Sequence, residues 1–292
     1  MSKKLIAHIA LLLANLIYGI NYTVAKDVMP DYMHPIGLVF LRVSGAFLLL
    51  WIIQKVFIKE MIARRDILKL CLCGLFGVAV NQMLFLYGLN LTTPIDAAIM
   101  VTSIPISALI FAVILGQEIL SVNKIIGIFL GCIGALTLIV YGKNFSFDDD
   151  KMWGNICIVI NATSYALYLV LVKPLMKKYH PITVITWVFL FGLIFVTPFG
   201  IQPFLESDFY SMPTVILWEI LFVVLGTTFL AYLLNIVALE RVSSTVVSTY
   251  VYLQPVIATI VALIVESDSL DSVKLISSAL VFLGVYFVSK RS

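Results

Sequence analysis

LIAHIALLLANLIYGINYTVAK, residues 5–26, decides the fold: it is long and apolar enough to cross a bilayer, and a partial copy of it returns at 153–173. At a fixed offset of 146 residues, Asn15 meets Asn161, Tyr22 meets Tyr168, His34 meets His180 and Pro35 meets Pro181. Further along the offset becomes 150, pairing Pro105 with Pro255, Lys124 with Lys274 and Gly134 with Gly284. The chain reads as a duplication, with a first unit at 1–146 and a second at 147–292, together one membrane domain.

Composition agrees. Of 292 residues 62% are hydrophobic and 12% charged, too few charges to clothe a water-soluble surface. The mean hydropathy of +1.09 says the same. The first apolar run lacks a small-residue cleavage site and leads straight into further runs, so it reads as a span and not as a cleaved signal. Cys71, Cys73, Cys132 and Cys157 lie inside apolar runs with no disulfide or metal-ligand spacing, and His8, His34 and His180 are too scattered to form a motif. The sequence therefore assigns no metal and no cofactor. It also shows no basic patch suited to nucleic acid and no nucleotide-binding motif.

Apolar runs between charged, Pro or Gly punctuation predict ten transmembrane helices, near 5–25, 35–54, 67–89, 95–116, 122–141, 153–173, 182–200, 216–239, 244–265 and 272–289. The runs are continuously apolar, which favours helices over the alternating strands of a barrel. With the N-terminus in the cytoplasm, 14 Lys and Arg residues fall inside and only Lys26, Lys143, Lys151 and Lys274 outside, leaving Arg42 within a span. That asymmetry predicts a multi-pass protein of the cytoplasmic membrane with both termini cytoplasmic. Since each unit holds an odd number of spans, the second enters the bilayer from the opposite side. The expected fold is all-α, ten transmembrane helices as two inverted five-helix repeats. The polar stretch Gly142–Lys151 (GKNFSFDDDK) is read as an outer loop at the repeat boundary, with a bound cation the lesser reading of its acidic triplet.

Several blocks resemble the drug/metabolite transporter superfamily, in particular the EamA-like group of ten-helix carriers. They are LIYGINYTVAK at 16–26, LRVSGAF at 41–47 with its Arg, and LYGLNLTTPIDAAIMVTSIPISALIFAVILGQEILS at 86–121. VALERVSSTVVSTYVYLQPVIATIVALIVESDSLD at 237–271 repeats the last more loosely. Tyr18 stands where that family often has Trp, and the second unit carries Val172 opposite Lys26 and Val188 opposite Arg42. The resemblance implies carriage of a small metabolite, amino acid or drug-like solute by alternating access.

Polar side chains within the hydrocarbon layer face other helices or a wet cavity. Asn15, Tyr18 and Tyr22 share one face of helix one, and Asn161, Tyr165 and Tyr168 the matching face of helix six. Helix eight adds Tyr232 and Asn235 with Thr228, and helix three adds Asn81, Gln82 and Tyr87. Met100 and Ser103 with Asp96 and Ser107 in helix four, and Tyr250 with Gln254 in helix nine, complete the predicted substrate-binding set. Interhelical hydrogen-bonding is the competing role for these residues. Aromatic rings with scattered amides suit an amphipathic organic small-molecule substrate. Pro105 and Pro255 are candidate hinges, because each removes a backbone donor in mid-helix. Gly127, Gly131 and Gly134 are expected to pack helix five closely, and Arg42 is expected to snorkel outward, with attraction of an anion as the alternative. No carboxylate lies deep in a span, so little proton coupling is expected.

Overall fold

The computed structural model describes residues 3–140, 149–257 and 272–289, and every regular element among them is helical. Helix α1 spans Lys3–Val28 and α2 spans Pro35–Ile53, prolonged by a π-helical turn at Gln54–Ile58. The third membrane helix is composite: α3 at Arg64–Gly74, a π-helical segment at Leu75–Val80, and α4 at Asn81–Leu91. The fourth is split into α5, Pro94–Val101, and α6, Ile104–Ile114; α7 is Val122–Val140. In the second half, α8 covers Asp149–Met176 and α9 Pro181–Leu205. The eighth membrane helix repeats the pattern of the third, with α10 at Thr214–Phe222, a π-helical segment at Val223–Leu230 and α11 at Ala231–Arg241. The ninth starts as α12, Ser244–Thr249, and tightens into a 3-10 turn at Tyr250–Tyr252; α13 is Ser272–Ser289.

Seven helical stretches among the described residues, counting the split fourth helix as one, are long and apolar enough to cross a membrane, and Val122–Thr137 and Leu275–Ser289 are shorter apolar helices. With the interrupted ninth helix they make up the ten expected rods of a multi-pass membrane protein. The repeat boundary at 146/147 and most of the Gly142–Lys151 stretch lie outside the described residues. Its last part is not loop, however: Asp149, Asp150 and Lys151 already belong to the first turn of α8.

The two halves interleave. The principal helix pairs are α7 with α13, α2 with α9, α4 with α8, and α1 with α11, each joining one half to the other. Close approach between α7 and α13 depends on missing side chains, since a Cβ on Gly127 would stand 2.7 Å from the Gly284 carbonyl oxygen. Large apolar residues such as Phe129, Ile133, Leu283 and Tyr286 face outward from this pair, as lipid-facing surface requires.

Equivalent positions use equivalent local chemistry. The His34 ring nitrogen accepts from the Ile36 N–H at 3.2 Å and His180 from Ile182 at 3.3 Å, so each caps a helix that starts with proline. Thr93 caps α5 by accepting from the Asp96 N–H, and Ser243 caps α12 by accepting from Val246. At the corner between the third and fourth membrane helices, Lys26 Nζ donates to the carbonyls of Leu89, Asn90 and Thr92 at 3.0, 2.8 and 3.2 Å. Lys173 does the same at the opposite corner, donating to Leu239 and, at 2.5 Å, to Val242. The expectation that Lys26 has no counterpart is therefore corrected. The counterpart is Lys173, one residue beyond the aligned Val172, because a long flexible side chain reaches the same carbonyls from a neighbouring position.

The fourth membrane helix is interrupted, not merely bent. The break falls at Thr102–Ser103, with Pro105 in the first turn of α6. The hydroxyls of Thr102 and Ser103 donate to the carbonyls of Ile99 and Met100 at 2.5 and 2.7 Å, carbonyls that also accept the Thr102 and Ser103 N–H groups at 3.1 Å. Pro255 follows the 3-10 turn in the ninth helix in the same way.

Candidate functional site

Interrupted and π-helical segments surround one central cavity, with about 690 Å³ of empty space including its open part. Helices from both halves wall it. From α1 come Asn15, Tyr18, Asn21 and Tyr22; from α4, Asn81, Gln82 and Phe85; from α8, Asn161 and Tyr165. Tyr232 and Asn235 project from α11, Thr227 from the π-helical segment before it, and Gln254 from the ninth membrane helix. The break in the fourth helix contributes Val101 and Ile104, and α12 with the following turn contributes Val247 and Val251. Arg42 of α2 completes the wall.

The polar groups form a seam. Asn15 Nδ2 donates to the Leu11 carbonyl at 2.8 Å, and its Oδ1 accepts from Gln254 Nε2 at 3.0 Å. Asn161 Nδ2 reaches across to the Asn81 carbonyl at 2.7 Å. Gln82 Nε2 donates to the Tyr232 hydroxyl at 3.1 Å, and that hydroxyl lies 2.9 Å from the Gly77 carbonyl and 3.0 Å from Asn81 Oδ1. Asn235 Nδ2 donates to the Tyr18 hydroxyl at 3.2 Å. Aromatic edges stiffen the frame: Tyr22 meets Phe85 edge-on at 5.6 Å and Tyr232 meets Phe189 at 5.1 Å. Asn15 and Asn161 thus serve as interhelical bonds and as cavity wall at once, so the two roles weighed for them are not exclusive.

Other residues singled out in the sequence lie elsewhere. Tyr87 is exposed on the outer surface of α4, and Tyr250 pairs with His8 Nδ1 at 2.5 Å away from the cavity. Ser103 spends its hydroxyl on the Met100 carbonyl, and Met100 packs against the hydrophobic core. Tyr168 lies buried behind Tyr165, its ring filling the space left by Gly77, where a Cβ would stand 2.4 Å from the ring. Asp96 is held at the start of α5, accepting from the Thr93 hydroxyl at 2.9 Å.

Asn21, Phe85 and Thr227 join the wall without having been singled out. For Asn21 the signal was present, a second amide on helix one, but it falls outside the Asn15–Tyr18–Tyr22 stripe. Arg42 is the larger correction. It does not snorkel: it is 3% exposed, and its Nε donates to Thr228 Oγ1 at 2.7 Å. No group of three or more His, Cys, Asp or Glu suited to a metal occurs among the described residues.

One end of the bundle is tied by polar contacts near the cavity. Gln117 Nε2 donates to the Val170 carbonyl at 2.8 Å, Ser244 Oγ to Leu169 at 3.0 Å, and Glu118 accepts from the Thr245 N–H at 3.2 Å and from Lys124 Nζ at 2.5 Å. The same end carries the Lys178–Asp66 ion pair and the Tyr179 hydroxyl donating to Asp66. The carboxylate beside Lys178 holds its ammonium above the ordinary lysine range.

Comparison with known proteins places this architecture. The family model for the EamA-like transporter family matches residues 5–140 and again 152–290. The chain is 28% identical over 291 residues to the uncharacterized transporter YetK of Bacillus subtilis, covering 97% of this chain and 87% of that protein. It is 24% identical over 289 residues to an uncharacterized transporter of Archaeoglobus fulgidus, with 97% of each chain covered. It is also 25% identical over 333 residues to Protein WALLS ARE THIN 1 of Arabidopsis thaliana, covering 98% of this chain and 83% of that one. A solved structure, described only as a crystal structure of a protein, superposes with a TM-score of 0.77 at 17% identity over 99% of this chain and 98% of that one, a likeness of fold. With a family match in each half, the chain belongs to the EamA-like transporter family.

Proposed function

We propose that the protein is a secondary carrier that moves a small amphipathic organic solute across the cytoplasmic membrane by alternating access, as an exporter or facilitator. The carrying observation is the cavity walled by both halves, where fourteen polar or aromatic side chains from six different membrane helices converge beside interrupted and π-helical segments. Units 1–146 and 147–292 act as the inverted repeats that rock about this site. The end bearing Lys178, Arg241 and the Glu118 contacts is cytoplasmic, as are both termini. Pro105 and Pro255 sit where each rocking helix changes direction. The wall residues Asn15, Tyr18, Tyr22, Asn81, Gln82, Asn161, Tyr165, Tyr232, Asn235 and Gln254 form the substrate site.

Counterflow tests this reading. Purified protein in sealed vesicles preloaded with a pool of unlabelled organic acids, amines and amino acids should drive transient entry of the matching labelled solute, recovered chemically unchanged. Entry no faster than in protein-free vesicles would refute a carrier, and recovery of an altered solute would point to an enzyme.

A further inference from the structure

Arg42 raises a problem of charge. A guanidinium keeps its proton in any ordinary environment, so burial leaves the positive charge in place. Buried charges are normally paired, because the loss of hydration is otherwise uncompensated. Here Arg42 is 3% exposed, and none of the ion pairs among the described residues includes it. Its Nε is used by Thr228, while Nη1 is buried without any hydrogen-bond partner. Among the described residues, no Asp, Glu or His lines the cavity with it. The phenols of Tyr18 and Tyr232 lie within its electrostatic reach, but they are neutral donors and acceptors and leave the charge unbalanced.

Nor is Arg42 needed to hold the fold by charge. Thr228, its one hydrogen-bonding partner, also donates to the Val223 carbonyl at 2.7 Å, so Thr228 remains satisfied without the guanidinium. The rest of the wall is built to accept hydrogen bonds: Asn21 Oδ1, Gln82 Oε1 and Thr227 Oγ1 are buried and also lack partners. Among the described residues the cavity thus offers one free cationic donor, amide oxygens that want N–H or O–H groups, and aromatic sides.

We infer that the cavity takes an organic monoanion, whose carboxylate accepts from Arg42 Nη1 while its hydroxyl or N–H groups reach the amide oxygens and its apolar body lies among the tyrosines. This deepens the carrier reading above and rests on it: the solute supplies the counter-charge that the protein omits. A carboxylate suits the planar guanidinium, and the surrounding low-polarity wall strengthens the contact. A cationic solute meets repulsion from Arg42 and no acidic partner on the wall.

The test is equilibrium binding to the intact purified protein by calorimetry, using 4-hydroxyphenylacetate, its neutral isostere 4-hydroxyphenylacetamide, and the cation tyramine. The carboxylate should bind at least about tenfold tighter than the amide, about 1.4 kcal/mol in binding free energy, with tyramine weakest. Arg42→Gln should erase the difference, and the thermal midpoint of the unliganded variant should equal or exceed that of the parent, because an unbalanced charge has been removed. Equal or absent binding of the carboxylate, or a preference that survives in Arg42→Gln, would overturn the inference. So would a lowered midpoint with the preference intact, which marks Arg42 as structural. If Arg42→Gln does not fold, Thr228→Ala serves instead: with the guanidinium no longer oriented, the preference must shrink, and an unchanged preference overturns the inference. Because binding is read without transport, a protein that prefers the carboxylate but shows no counterflow would remove the carrier reading and leave the anion site standing.

Discussion

Gln82 and Tyr232 occupy equivalent positions in the two halves, 150 residues apart, and they touch each other: the amide of one donates to the hydroxyl of the other at 3.1 Å across the cavity wall. Each stands just after a π-helical segment. Such segments carry unusual register and recur at functional sites, and here they turn the two side chains toward a common seam.

Tyr232→Phe tests that seam. The substitution keeps the ring against Phe189 but strands Gln82 Nε2 and the Gly77 carbonyl. We expect a loss of about 1–2 kcal/mol in stability, read by thermal or denaturant unfolding in lipid nanodiscs, together with impaired transport. A variant as stable as the parent would show that the bond contributes nothing net.

Lys26 and Lys173 supply the donors for the carbonyls at two helix corners. Changing either to Met keeps the apolar stem but leaves several buried acceptors without donors, a penalty of about 1–3 kcal/mol for each group. Both variants should unfold at markedly lower temperature, and to similar extents. A large effect at Lys26 with none at Lys173 would break the equivalence.

Orientation can be read by single-cysteine labelling in a cysteine-free background. Reagent added outside intact cells should reach a cysteine placed within 142–151 and should spare one placed within 174–181. The reverse pattern would turn the protein upside down in the membrane.

Proton coupling should be weak. Among the described residues no carboxylate or histidine lines the cavity, and Asp96 is fixed at a helix start by Thr93. With a solute gradient and membrane potential held fixed, an imposed pH difference should leave uptake into vesicles nearly unchanged. Accumulation that follows the pH gradient and vanishes in Asp96→Asn or Glu219→Gln would identify a coupling carboxylate.

The rods were legible in the sequence because lipid demands long apolar runs. Observed starts at Pro35, Val122, Pro181, Ser244 and Ser272 lie within a residue of those predicted, whereas α9 runs to Leu205, five residues past its predicted end. Side-chain directions were harder. Stripes at α-helical spacing assume about 100° per residue throughout, and a π-helical turn shifts that phase. Gln82 and Tyr87 both follow the Leu75–Val80 segment in α4, and five positions at about 100° each put them on different faces, Gln82 toward the cavity and Tyr87 outward. Arg42 was misread for a different reason: depth along a helix does not tell whether a long side chain turns toward water or toward a neighbouring helix. Lys173 was missed because residue alignment counts positions, and hydrogen bonds depend on reach.

The two corner lysines also bear on how the chain is assembled. Lys26 belongs to α1 and acts on a turn that begins more than 60 residues later; Lys173 belongs to α8 and acts on a turn at a similar distance downstream. Synthesis runs from the N-terminus, so in each half the donor is already in the bilayer when its corner emerges from the ribosome. The first helix of each half is then a waiting receptor for the hairpin that follows. Truncated chains ending before residue 64 or before residue 214 would hold a lysine with no turn to bind.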